Sequence, residues 1–99
     1  MYKDIGARRI MRIVKALRGR SFTGLSNGEL ATAIDDSPVN VTRACQAMID
    51  EGFVEKLSNG RFALSTAFLQ VAVAHQREMS GVIDRVGEIN QRVNAGSIN

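Results

Sequence analysis

The chain has 99 residues, 44% of them hydrophobic, which suffices for one small core. A single Cys excludes an internal disulfide, and no apolar run is long enough for a membrane span or placed as in a signal peptide. No membrane partner and a cytoplasmic location are therefore expected.

The net charge of +3 is unevenly placed. Residues 1–20 hold seven basic residues against Asp4 alone, a net of +6, while the other residues hold six basic and nine acidic, a net of −3. A basic head on a mildly acidic body suggests a polyanionic partner. The alternative is a solvated helix face.

In chain order, residues from about 4 to 19 read as a first helix. Ile10, Val14 and Leu17 form its apolar stripe, with Ile13 beside them. Arg8, Arg9, Arg12, Lys15 and Arg18 fill most of the rest, and Gly19 is a plausible stop. Ser21 to Gly24 form a connector, with Phe22 and Leu25 expected to anchor it in the core.

Ser26 and Glu29 form a capping box, in which the hydroxyl takes a free amide and the carboxylate reaches back. Leu30, Ala31 and Ile34 then make one face of a second helix. Asp35 and Asp36 break the pattern. Ser37 caps a third helix, and Pro38 sits in its first turn, where the missing amide costs nothing. Val41, Cys45, Met48 and Ile49 should face inward, and Gly52 should end the helix. Two short helices so closely joined form a helix-turn-helix pattern.

After Gly52 the periodicity changes. Phe53–Leu57 and Arg61–Leu64 are short strand-compatible runs around Ser58-Asn59-Gly60, and Asn-Gly predicts a hairpin with a type I′ turn. Strands this short must pack on the helices, with Phe53, Val54, Phe62 and Leu64 as the contacts. Residues from Thr66 to about Val93 then read as one long helix. Phe68, Ala72, His75, Met79, Val82, Val86, Ile89 and Val93 recur in steps of four and three, a heptad seam. Leu69, Val71, Val73 and Ile83 lie off it and leave the first half apolar nearly all round, so that half is expected to be covered as well. The predicted fold is mainly α: a winged helix-turn-helix of three helices plus a two-stranded β-hairpin wing (1–65), a long C-terminal dimerisation helix (66–94) and a frayed tail (95–99).

From about Ile10 to Leu69 the chain resembles the DNA-binding domain of IclR-type transcription regulators. The matching pieces are Glu29-Leu30-Ala31, Pro38, Val41-Thr42-Arg43, Glu51-Gly52-Phe53-Val54-Glu55 and Gly60-Arg61-Phe62-Ala63-Leu64. The resemblance implies a third helix docked in the major groove, a wing against the backbone or minor groove, and a first helix that helps dimerise or position the protein. Two departures stand out. Ala44 and Cys45 replace the family's large aliphatic pair, and the effector-sensing domain that normally follows is not seen, so no small-molecule ligand is expected.

The outward positions of the third helix are Val39, Asn40, Thr42, Arg43, Gln46 and Ala47. Arg suits guanine, Asn and Gln suit adenine, and small apolar residues suit the thymine methyl. Lys56, Asn59 and Arg61 on the wing, with Arg8, Arg9 and Arg12 on the first helix, are candidates for backbone contact. The alternative for each surface is an ordinary solvated one. Asp35, Asp36 and Asp50 flank the third helix and would repel phosphates.

Cys45 reads as a core residue, and His75 as a polar member of the seam or an edge residue. One Cys and one His cannot build a zinc site in one chain, and no nucleophile elbow or phosphate loop is present. No metal, cofactor or catalytic residue is therefore expected. The function expected is a non-enzymatic transcription regulator of the small kind common in prokaryotes and phages. It would read double-stranded DNA as a homodimer joined through Met79, Val82, Val86, Ile89 and Val93. The alternatives are a winged-helix module that binds another protein, and an architectural protein that coats DNA without sequence choice.

Overall fold

The computed structural model describes residues 3–98, with side chains through 95. Its elements are α1 (Ile5–Leu17), α2 (Asn27–Ile34), α3 (Pro38–Asp50), β1 (Val54–Lys56), β2 (Phe62–Leu64) and α4 (Thr66–Ile98). This is a winged helix-turn-helix followed by a long C-terminal helix. The chain divides into two compact units, the first ending at Phe68 and the second beginning at Leu69. The first unit runs past the expected boundary at 65 because the Phe68 ring meets Phe53 edge-on, with centroids 4.8 Å apart.

The helix ends of the first unit are set by local chemistry. Asp4 caps α1 by accepting the Ala7 amide at 3.0 Å. The capping box at α2 is complete: the Glu29 amide donates to Ser26 Oγ at 3.1 Å, and the Ser26 amide to Glu29 Oε1 at 3.3 Å. Ser37 accepts the Asn40 amide at 3.2 Å, with Pro38 in the first turn of α3. Asp35 closes α2 in a left-handed conformation at φ 54°. Aspartate is among the few residues with a Cβ that enter this region readily.

The core lies between the three helices and the hairpin. Ile13 and Leu17 come from α1, Leu30, Ala31 and Ile34 from α2, Val41, Cys45 and Met48 from α3, and Val54, Phe62 and Ala63 from the wing. The stripe on α1 is centred on Ile13 and Leu17, with Ile10 and Val14 only partly covered. Full burial of a large aliphatic side chain is worth about 1.5–3 kcal/mol, so these few residues carry most of the packing energy.

β1 and β2 pair antiparallel, with Val54 opposite Leu64, Glu55 opposite Ala63 and Lys56 opposite Phe62. The expected type I′ turn is not formed. Only Gly60 has a positive φ, 84°, and Asn59 does not. The loop is three residues long, closed by the Gly60 amide on the Leu57 carbonyl at 2.8 Å. A left-handed glycine at the third position then suffices. The Asn59 side chain instead accepts the Arg61 amide at 2.9 Å.

The connector before α2 departs from expectation in a second way. Phe22 is 97% exposed, not a core anchor. The backbone turns sharply here, with the Gly24 amide on the Arg20 carbonyl at 2.7 Å, and this carries Phe22 outward. Leu25 does the anchoring. It forms an antiparallel bridge with Phe62, with bonds of 2.9 and 2.8 Å, and gives the wing a third, one-residue edge.

Ser65 ties the wing to the start of α4. Its amide donates to the Phe53 carbonyl at 2.9 Å, its hydroxyl donates to the Gly52 carbonyl, and its oxygen accepts the Ala67 amide at 3.2 Å. The helix runs past Val93 to Ile98; the last residue of the expected frayed tail, Asn99, lies outside the described residues. Leu69, Val71 and Ile83, expected to be covered in part by the fold, are exposed, and only Val73 among the off-seam residues is half-buried. No helix among the described residues is long and apolar enough to cross a membrane.

Candidate nucleic-acid interface

The outer face of α3 is open. Val39, Thr42, Arg43, Gln46 and Ala47 are exposed, while Asn40 is half-buried. A shallow hollow on this face is lined by Pro38, Val39, Thr42 and Arg43. Such a face is chemically mixed, with methyl-bearing side chains beside one guanidinium.

The polar groups around it are mostly engaged with one another. Asn27, in the first turn of α2, donates to Thr42 Oγ1 at 2.6 Å and to the Pro38 carbonyl at 3.1 Å. This amide clamps the two helices of the motif, and leaves the Thr42 hydroxyl a hydrogen to donate outward. Gln46 donates to Asp50 Oδ1 at 3.1 Å, an exposed one-turn contact that water or a base edge can replace. Arg43 makes no hydrogen bond or ion pair among the described residues.

Asp36, in the turn between α2 and α3, is the hub of the site. Its Oδ2 takes Arg9 Nε of α1 at 2.5 Å. Its Oδ1 takes the Asn40 amide at 2.9 Å and the Ser37 backbone N–H at 2.7 Å. The Arg9 bond first, then Asn40 and Ser37, hold its carboxyl down at about 2. One of the three acidic residues that flank α3 is thus neutralised by a cation from α1. The same contact means that Arg9 and Asn40 hold the motif together, so both are committed before any ligand arrives.

On the wing, Arg61 is likewise engaged. Its Nη2 lies 2.5 Å from Glu29 Oε1, and its Nε donates to the Thr23 carbonyl at 3.1 Å. The Ser26 hydrogen bonds, with Arg61 adding to them, hold Glu29 below the usual carboxylate range. The Lys56 ammonium sits 5.9 Å from the centre of the Phe62 ring. Asn59 is occupied by its own turn.

Among the described residues, Arg8 and Arg12 of α1 have no ion pair or hydrogen-bonded side-chain partner. Arg12 and Lys15 line a hollow with Ala33, Ile34 and Asp35, which places this basic face beside the end of α2. Cys45 is buried, and desolvation pushes its thiol up to about 11, so it is an unreactive core group.

Sequence reading passed over Asn27 and the roles of Asp36 and Glu29 as cross-links. The four-residue spacing of Asp36 and Asn40 was a legible signal for one of these bonds. No local pattern signals the other partners, which lie far away in the chain.

Searches against protein-family models, curated proteins and solved structures gave no match. The chain is therefore defined by its own geometry, a winged helix-turn-helix with an uncovered third helix.

Proposed function

We propose that this protein is a non-enzymatic, DNA-binding transcription regulator that reads the major groove with α3 and works as a homodimer in the cytoplasm. The observation that carries the reading is Arg43. It stands exposed on the outer face of the second helix of a helix-turn-helix, and among the described residues it alone of the charged groups proposed for α3 and the wing lacks an internal or aromatic partner. An unengaged guanidinium on this helix is suited to guanine O6 and N7. Thr42, Gln46 and Ala47 flank it with groups that suit other base edges. Pairing of Asp36 with Arg9 reduces the repulsion that its charge would otherwise exert on phosphates.

Arg8, Arg12 and Lys15 supply a basic face for the DNA backbone in this reading. Arg9 and Arg61 act as struts that set the position of the motif and the wing.

The test is titration of labelled duplex DNA at several salt concentrations, with random and genomic sequences in competition. A regulator prefers some sequence by about 10³-fold or more over non-specific DNA. A salt slope without sequence preference supports a coating protein instead. No binding to any duplex favours a protein partner.

A further inference from the structure

α4 presents a long uncovered apolar seam. Met79, Val82, Val86 and Ile89 are each between 49% and 53% exposed. A lone helix is marginal in water, and a heptad seam of this kind is covered by another helix. We propose that the covering helix is α4 of a second copy, paired antiparallel and in a single register. This rests on the homodimer part of the proposed function and is independent of DNA recognition.

The charges beside the seam select the orientation. With Ala72, Met79 and Val86 at one set of core positions and His75, Val82 and Ile89 at the other, one flank carries Glu78, Arg85 and Arg92. The opposite flank, with Gln76, Ile83 and Asn90, carries no charge. Parallel pairing joins unlike flanks, so Glu78 would face the partner's Ile83 and Arg85 the partner's Asn90. No ion pair forms. Antiparallel pairing lays each flank on its own copy, where an acid can meet a base.

Two registers achieve this, and only one does so without facing like charges. Met79 layers on the partner's Val82, Val86 on the partner's His75, and small Ala72 on the partner's large Ile89. Glu78 then lies beside the partner's Arg85, and two-fold symmetry makes the contact twice. A slip of one heptad in one direction sets Glu78 beside the partner's Glu78. A slip in the other pairs Glu78 with the partner's Arg92 twice, but sets Arg85 beside the partner's Arg85. Both also shorten the overlap. Neither Glu78 nor Arg85 has an ion pair among the described residues. At seven residues apart they are two turns from each other on the same helix, beyond the one-turn reach of an internal pair. Gly81 and Gly87 lie off the seam and have nothing within 4 Å of an added Cβ.

The full chain tests this without DNA. Sedimentation equilibrium gives the mass, and spin labels on introduced cysteines give the orientation, with buried Cys45 left unlabelled. Labels at Ser80 sit near the pairing centre and come close in either orientation. Labels at Gln91 come close in a parallel pair. In the antiparallel register Gln91 lies level with the partner's Gln70, which sets the two labels about 30 Å apart along the axis. Glu78→Arg alone and Arg85→Glu alone should each weaken the dimer roughly tenfold at low salt. An equal mixture of the two variants should restore it, because opposite charges meet again at both contacts. A monomer mass at high concentration overturns the pairing, and a short Gln91 distance overturns the orientation. A dimer indifferent to Arg85→Glu overturns the register. A full chain that dimerises in this way but binds no duplex counts against the DNA reading alone.

Discussion

The wing is attached to the helices through Gly24, and Gly24→Ala measures that attachment. Its φ of 66° lies where any residue with a Cβ pays about 1–2 kcal/mol. An added Cβ would also lie 2.8 Å from the Phe62 carbonyl oxygen and 3.0 Å from Arg61 Cβ and Leu57 Cδ1. The Leu57 methyl can turn away. The carbonyl cannot move freely, because it accepts the Leu25 amide at 2.9 Å within the bridge that holds the wing. Displacing it weakens both bridge hydrogen bonds, at about 0.5–1.5 kcal/mol each. The expected loss is about 2–5 kcal/mol, a large part of the ~5–15 kcal/mol typical of a small domain. Gly60→Ala is the matched control: its φ is 84° but nothing lies within 4 Å of the added Cβ. It should cost only the backbone part, about 1–2 kcal/mol. Urea unfolding followed by core methyl NMR signals compares the two, since α4 would dominate a helix-based signal. Equal losses in the two variants would show that the bridge contributes nothing and refute the reasoning.

Three further outcomes are expected. Asp36 sits at about 2 when folded against an ordinary 3.8. Its contribution to stability is therefore complete above 3.8 and is lost as the pH falls through about 2. Asp36→Asn should flatten that limb of the acid-unfolding profile; an unchanged profile would show the Arg9 contact to be idle. Arg43→Ala and Gln46→Ala should each cost about 1–3 kcal/mol on a preferred DNA site and relax selectivity there, without loss of helix by circular dichroism. Selectivity that survives both changes would move the reader off α3. Arg8→Gln and Arg12→Gln should each lower the slope of log affinity against log salt by up to about 0.9, if each contacts one phosphate. Arg9→Gln should instead reduce thermal stability and change the slope less, because its guanidinium is held by Asp36. Equal slopes for all three would mean that Arg9 leaves Asp36 when DNA binds.

Local chemistry made much of this fold legible. The Ser26–Glu29 box, Ser37 before Pro38, and Gly52 after the last turn each act over three or four residues. Their effects can be read without knowing where the rest of the chain lies. The inward faces of α2 and α3 were readable for the same reason, since helical spacing alone puts Leu30 with Ile34 and Val41 with Cys45. The hairpin was placed correctly from Asn59-Gly60, but its turn geometry was not, because the closing pair, Leu57 with Arg61, depends on strand register.

What only the tertiary structure decided are the contacts between distant residues. Arg9 reads as a free basic residue until Asp36 is brought to it, and Arg61 reads as a wing cation until Glu29 and Thr23 meet it. Phe22 reads as an anchor until the turn at Gly24 points it outward and gives that role to Leu25. Which cations hold the fold, and which, like Arg43, stay exposed, depends on distances across the chain. Hydrophobic period and capping chemistry carry information about near neighbours, whereas an ion pair 27 residues apart in sequence exists only once the core has set both ends in place.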